Sequence, residues 1–143
     1  MGETASGEVS ARLVGADCAD VVSVDRADAF DDIAGSEVVV LVEGIDVPAA
    51  ARAAARRAAA AVVLVATADI ERDTAAALEA SLLPRPRAFG VVAGDVATAV
   101  EAILFGRDAP LQVAALCRGE LGIDDRVATV PAQVGTGGLR AIG

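Results

Sequence analysis

Glu37-Val38-Val39-Val40-Leu41-Val42 and Ala61-Val62-Val63-Leu64-Val65-Ala66-Thr67 are the stretches that decide the fold. Each is a short, continuous, β-branched apolar run, the pattern of a strand buried on both faces. Between them Pro48 stands where a first helical position is expected, Asp46 is placed to cap, and Ala49 to Ala59 follows as an alanine-rich helix carrying Arg52, Arg56 and Arg57. Strand, helix, strand in this space predicts a parallel crossover unit.

The rhythm continues downstream. Thr67 or Asp69 is placed to cap a helix from Ile70 to Ser81, ended by Pro84 and Pro86, and Arg87 to Val92 reads as a further short strand. After Gly94 the pattern changes. Asp95 is expected to cap a helix whose Val96, Val100, Ile103 and Leu104 form one apolar stripe, and Gly106 stands at its expected end. Leu111 to Cys117 and Arg126 to Val134, joined by a short loop, predict an antiparallel hairpin, and Gly135 to Gly138 reads as a turn.

Upstream, Val9 to Gly15 and Asp20 to Asp25 read as two strands. The four residues between them are too few for a crossover helix, so the strands pair antiparallel or the stretch Ala16–Ser23 coils. Asp31 to Gly35 reads as a short helical turn.

Composition narrows the chemistry. The chain has 143 residues, one domain's worth, with 55% hydrophobic residues and only 3 Phe among the aromatics. The core must therefore be built from Ala, Val, Leu and Ile. All 12 basic residues are Arg, against 21 acids, for a net charge of −9. Such a surface argues against nucleic acid and anionic membrane as partners. It fits a high-salt interior or arginine-biased coding. There is no His, which excludes Ser-His-Asp and Cys-His nucleophiles, imidazole acid–base work and His-bearing zinc sites. Cys18 and Cys117 stand apart with no ligand cluster, so free core thiols and no metal site are expected. The polar, acidic N-terminus is unlike a signal peptide, and the longest uncharged apolar run, Ala58 to Ala68, is too short to span a bilayer. A cytoplasmic location is the expectation.

Three C-terminal segments carry a family resemblance: Val96 to Leu104, Leu111 to Asp125, and Val130 to Leu139. They resemble, in order, the helix, the hairpin and the "VPVxLGxNGV" strand of the lactate/malate dehydrogenases. Phe30 to Val40 is similar to that family's "YEDIAGSDVVV". Val42-Glu43-Gly44-Ile45 stands where "TAGI" is usual, Val62 to Glu71 is similar to the strand ending "TNPVD", and Leu82 to Gly90 resembles "GLPRERVFG".

The resemblance implies an α/β fold. Residues 1–94 correspond to a reduced, Rossmann-like, mostly parallel sheet with helices. Residues 95–143 correspond to the helix and antiparallel hairpin of the dehydrogenase C-terminal domain, and the two parts are expected to pack as one unit. It also implies NAD as the cofactor, if one is used, near Gly15, Asp25 and Gly44. Working parts of the family are missing, however. Gly15 alone remains of the glycine-rich phosphate loop, followed by Asp17 and Asp20, which repel phosphate. The family's mobile arginine loop is replaced by Asp46-Val47-Pro48, its orienting Asn by Ala68, and its catalytic His–Asp region is absent between Gly94 and Asp95. Arg52, Arg56 and Arg57 read as a solvated helix face.

The expectation is a catalytically degenerate relative with no catalytic residues and a structural, regulatory or interaction role. Its partner would be a second copy or a full-length dehydrogenase relative. The alternatives are an active NAD-dependent malate or lactate dehydrogenase, a nucleotide-binding sensor using Asp25 and Gly44, and a remnant without function.

Overall fold

β-branched residues lose little side-chain freedom in extended backbone, and the two valine-rich runs form neighbouring parallel strands. The computed structural model describes residues 38–42, 44, 46–58 and 60–143. Strand β1 is Val38–Val42 and β2 is Val62–Ala66, paired in parallel from Val38 opposite Val62 to Val42 opposite Ala66. Strand β3, Ala88–Val91, adds to β2 in parallel. The strands read at Val9–Gly15 and Asp20–Asp25, the turn at Asp31–Gly35, Gly15 and Cys18 lie outside the described residues.

Helix α1, Val47–Arg57, crosses from β1 to β2, and α2, Ile70–Ser81, from β2 to β3. α1 starts at Val47, one residue earlier than the sequence suggests. Asp46 is its cap, accepting from Ala49 N at 3.1 Å, and Pro48 sits in the first turn, where no intrahelical donor is needed. The limits of α2 match the sequence reading, but its capping does not. Asp69 occupies the cap position without a side-chain bond to the helix, and Thr67 bonds elsewhere. Helix α3, Val96–Phe105, follows β3 and ends at Gly106 in the left-handed region. Asp95 precedes it with φ −102° and ψ −2°, and its side chain makes no capping bond. A single turn of 3-10 helix, Ala93–Asp95, has already wound the backbone into α3, so the extended cap geometry is lost.

The sheet then reverses direction. Strand β4, Ala109–Arg118, pairs antiparallel with β3, Gly90 opposite Ala114. Strand β5, Asp124–Gly135, pairs along the whole of β4 with a register shift at Cys117 and Arg118. A last strand, β6 (Gly138–Ile142), returns along β5 where the sequence suggests only a turn. The six strands form one sheet in chain order.

Two apolar layers cover it. Against one face α1 and α2 bury Ala50, Ala51, Ala54 and Ala77 on Leu41, Val63 and Val65. Alanine adds little apolar area, but it lets helix and sheet backbones approach closely while keeping high helix propensity. Against the other face α3 lays Val96, Val100 and Ile103 on Leu64, Phe89, Val91, Val113, Val130 and Val134. Phe89 is fully buried and is the largest side chain in this layer. Along β5 the alternation is clean, with Val130, Ala132 and Val134 buried and Thr129, Pro131 and Gln133 exposed. Cys117 is a free thiol on the α3 face; its pKa is pushed up, first by burial and then by the nearby Glu120 carboxylate.

Two contacts fix how α2 lies on the sheet. Gly90 lets it approach β3: a methyl group there would stand 2.2 Å from Ile70 Cγ2 and 2.5 Å from Thr74 Oγ1. β6 reaches β5 only from Ala132 onward, and Glu71 of α2 accepts from Thr129 N at 2.8 Å and Thr129 Oγ1 at 2.9 Å on the stretch before it. A carboxylate thus occupies a backbone donor that would otherwise be open to another strand. Beyond α2, Arg87 donates twice to Ala61 O, from Nε at 3.2 Å and from Nη2 at 2.8 Å, tying the entrance of β3 to that of β2.

Candidate functional site

In an open parallel sheet the loops leaving the carboxyl ends of the strands form the natural crevice, because adjacent helices begin there with unpaired N–H groups. The ends of β1 and β2 enclose such a crevice here, about 360 Å³ in volume. From β1 the chain passes through Gly44 into Asp46, Val47 and Pro48, the start of α1. Gly44 has φ +89°, and nothing lies within 4 Å of where its Cβ would be. Glycine is needed there for the backbone turn, not for close approach of a neighbour.

From β2 the chain supplies Thr67, then Arg72 and Asp73 on the first turn of α2. Thr67 is 7% exposed, and its Oγ1 donates to Asp73 Oδ2 at 2.6 Å. The other oxygen, Asp73 Oδ1, meets Arg72 Nε at 3.2 Å, while Arg72 Nη1 reaches Asp69 Oδ2 at 3.5 Å. The guanidinium is 73% exposed, so these pairs are screened and weak.

Charge sets what the crevice can hold. Two carboxylates, Asp46 and Asp73, face one guanidinium, Arg72, leaving the lining at −1. Helix N-termini attract anions. The start of α1 is already met by Asp46, and the first turn of α2 carries Glu71 and Asp73. The crevice therefore offers acceptors to a hydroxyl or a cation and little to a carboxylate or a phosphate.

The expected cofactor residues fare unequally. Gly44 does line the crevice, whereas Gly15 and Asp25 lie outside the described residues. Arg52 and Arg56 are exposed on α1 and take no part in the lining; nothing is described of the Arg57 side chain. Sequence reading missed the Thr67–Asp73 pair. Its signal is a threonine closing a strand with an acid six residues on, which only the strand-to-helix turn brings together. Among the described residues no group of three or more His, Cys, Asp or Glu is placed to hold a metal ion, and no helix is long and apolar enough to cross a membrane.

The described part of the crevice does not fit a dinucleotide well. Its volume is near the lower end for small-molecule pockets, roughly 300–1,000 Å³, and at the start of α1 the Ala49 N–H is already taken by the Asp46 carboxylate.

No protein-family model matches the chain, and no curated protein matches it. Solved structures do. Malate dehydrogenase from Aeropyrum pernix superposes with a TM-score of 0.77 at 17% identity, covering 96% of this chain and 77% of that one. Malate dehydrogenase from Archaeoglobus fulgidus, solved in complex with NADH, gives 0.75 at 13% identity, covering 95% and 76%. Lactate dehydrogenase from Cryptosporidium parvum, with lactic acid and nicotinamide adenine dinucleotide bound, gives 0.74 at 12%, covering 82% and 71%. With its parallel strands, crossover helices and antiparallel C-terminal strands in the same order, the chain has the lactate/malate dehydrogenase fold.

Proposed function

We propose that this chain is a catalytically degenerate relative of the lactate/malate dehydrogenases, with a structural, regulatory or interaction role in place of hydride transfer. The observation that carries the reading is the crevice lining. Among the described residues its one cation, Arg72, is shared between Asp69 and Asp73, and the chain has no histidine. Oxidising a 2-hydroxy acid needs a base for the hydroxyl proton and a cation for the carboxylate. General base catalysis contributes roughly 10²–10⁴-fold, and a positioned charge stabiliser about 10²–10³-fold. Asp46 and Asp73 have the wrong sign to hold the substrate. Both carboxylates are also engaged, one by the α1 backbone and one by Thr67 and Arg72. NAD, which the neighbouring structures bind, is the cofactor to test. For partners the reading takes self-association or docking on a full-length dehydrogenase.

The test is calorimetry with NADH combined with oxaloacetate and pyruvate turnover, repeated across a salt series with circular dichroism recorded alongside. The expected result is a folded chain with no turnover. Turnover of either oxoacid would overturn the reading. A second reading, a nucleotide sensor, is favoured by the place of Gly44 in the crevice and is distinguished by NADH binding without turnover.

A further inference from the structure

Helix α2 and the start of β5 enclose a second, larger groove, of about 730 Å³. Ala75, Leu78, Glu79 and Leu82 form one wall, a single stripe at helical spacing along α2. Glu71, one turn before Ala75 on that stripe, already touches Thr129, so the stripe faces β5. Leu116 of β4 and Val127 of β5 add apolar surface. Leu82 is 85% exposed in left-handed backbone, φ +58°, so burial within the chain does not explain a leucine there.

The strand side of the groove ends in an open edge. β4 covers one edge of β5, while β6 covers the other only from Ala132 onward. Thr129 N–H meets Glu71, and Pro131 O accepts from Gly143 N at 2.9 Å, so both residues turn their backbone groups away from β4. Val127 is in the same phase, with no register shift in between. Its N–H and C=O therefore face the open side, and they meet no partner among the described residues. A free donor and acceptor on a strand edge, beside an apolar helix stripe, suit an extended peptide that adds a strand to the sheet. A docked helix, its own backbone already bonded, could use neither group.

Charge narrows the peptide. Arg85, Arg118 and Arg126 line the groove with Glu79 and Asp125, a surplus of one positive charge on a chain of net charge −9. Arg85 is occupied: Nη1 meets Glu120 Oε2 at 2.7 Å and donates to Leu116 O at 3.1 Å. On the strand side Arg118 and Arg126 stand exposed against Asp125, without ion pairs among the described residues, while Glu79 stands on the helix wall. With a Debye length of roughly 8 Å at physiological salt, these near charges outweigh the more distant acids. A residue beside the strand is thus favoured as an acid.

We propose that this groove takes an extended segment of a partner protein as an added strand on the open edge of β5. The segment's backbone pairs with Val127, its alternate apolar side chains pack between Leu82 and Leu116, and one carboxylate meets Arg118 or Arg126. This rests on the interaction role proposed above and gives it a surface and a partner chemistry. The full chain is panned with a displayed library of random peptides of about eight residues, a strand's length, and the enriched peptide is synthesised and titrated by fluorescence polarisation. Alternating apolar residues with one acid should be enriched. Val127→Pro removes the outward N–H, and Pro131 in the same phase shows that β5 accepts proline there. It should weaken binding about tenfold or more. Leu82→Gly, which suits the left-handed backbone, should weaken it by about tenfold. Panning the double variant Arg118→Glu with Arg126→Glu should select a base in place of the acid. Without any variant, hydrogen exchange at the Val127 amide should be fast in the free chain and about tenfold or more slower with the peptide bound. The proposal is overturned if no sequence is enriched, if the peptide binds Val127→Pro as tightly as wild type, or if exchange at Val127 ignores the peptide. NADH binding and turnover are scored separately, so failure here leaves the reading of the crevice standing.

Discussion

Replacing Gly90 by alanine should drive α2 off the sheet. The added methyl would stand 2.2 Å from Ile70 Cγ2, 2.5 Å from Thr74 Oγ1 and 3.1 Å from Ala114 Cβ. Carbon atoms settle at about 3.5–4.0 Å, so the nearest contact must lengthen by more than about 1 Å. Ile70, the nearer neighbour, is β-branched and holds one strongly preferred rotamer in a helix, so it does not swing aside and the whole helix must lift. Lifting loosens the fully buried Ala77 and the Glu71 bonds to Thr129. Overpacking of this kind costs about 1–3 kcal/mol. With two neighbours hit at once, the upper end, about 3 kcal/mol, is expected from a total of roughly 5–15 kcal/mol. Urea unfolding should show it as a lower midpoint at unchanged slope, and thermal melting as a fall in Tm of roughly 6–12 °C. The double variant with Ile70→Ala, which deletes the nearest methyl, should recover about 1 kcal/mol or more over additivity. A Gly90→Ala protein within about 0.5 kcal/mol of wild type, or strict additivity with Ile70→Ala, would refute the packing of α2 on β3.

Thr74 is fully buried and its hydroxyl has no hydrogen-bond partner among the described residues, so Thr74→Val should stabilise the chain by about 1–2 kcal/mol in urea unfolding. Asp46→Ala should lose about 1 kcal/mol by removing the α1 cap, with the loss confined to stability if the carboxylate has no other task. The Glu120 carboxyl is held below its ordinary range, first by the backbone N–H of Arg118, then by its own backbone and by Arg85. Its folded-state pKa being depressed, its contribution is present above the ordinary carboxylate pKa of about 4.3 and is lost as pH falls through the folded value. Glu120→Gln should therefore flatten the acid limb of a plot of urea midpoint against pH, and an unchanged limb would count against the Arg85–Glu120–Arg118 clasp.

The parts of the crevice were legible in the sequence to different degrees. Gly44 stood out only through the family resemblance, standing where "TAGI" is usual. The pairing of Thr67 with Asp73 did not, because Thr67 and Asp69 both fit a helix cap and only the turn geometry selects between them. Asp95 misled for a related reason. Its residue type suits a cap, but the preceding 3-10 turn sets a backbone in which its carboxylate points elsewhere. The exposure of Leu82 at the end of α2 had no signature either, since the residue reads as ordinarily apolar and only its left-handed backbone, φ +58°, accompanies its 85% exposure.

By itself the sequence determined what depends on neighbours along the chain. The valine runs made β1 and β2, Asp46 and Pro48 started α1, Pro84 barred any continuation of α2, and the absent histidine removed a whole class of chemistry. Tertiary structure decided what depends on residues far apart. It turned Gly138–Ile142 into a sixth strand, because a five-residue segment becomes a strand only when β5 offers an open edge. It also made Gly90 a contact point for α2, set Glu71 on the open stretch of β5, and brought Arg85 against Glu120 of the β4–β5 turn. Backbone propensity acts within a few residues, whereas close approach, edge pairing and charge placement exist only once the sheet has brought distant segments together.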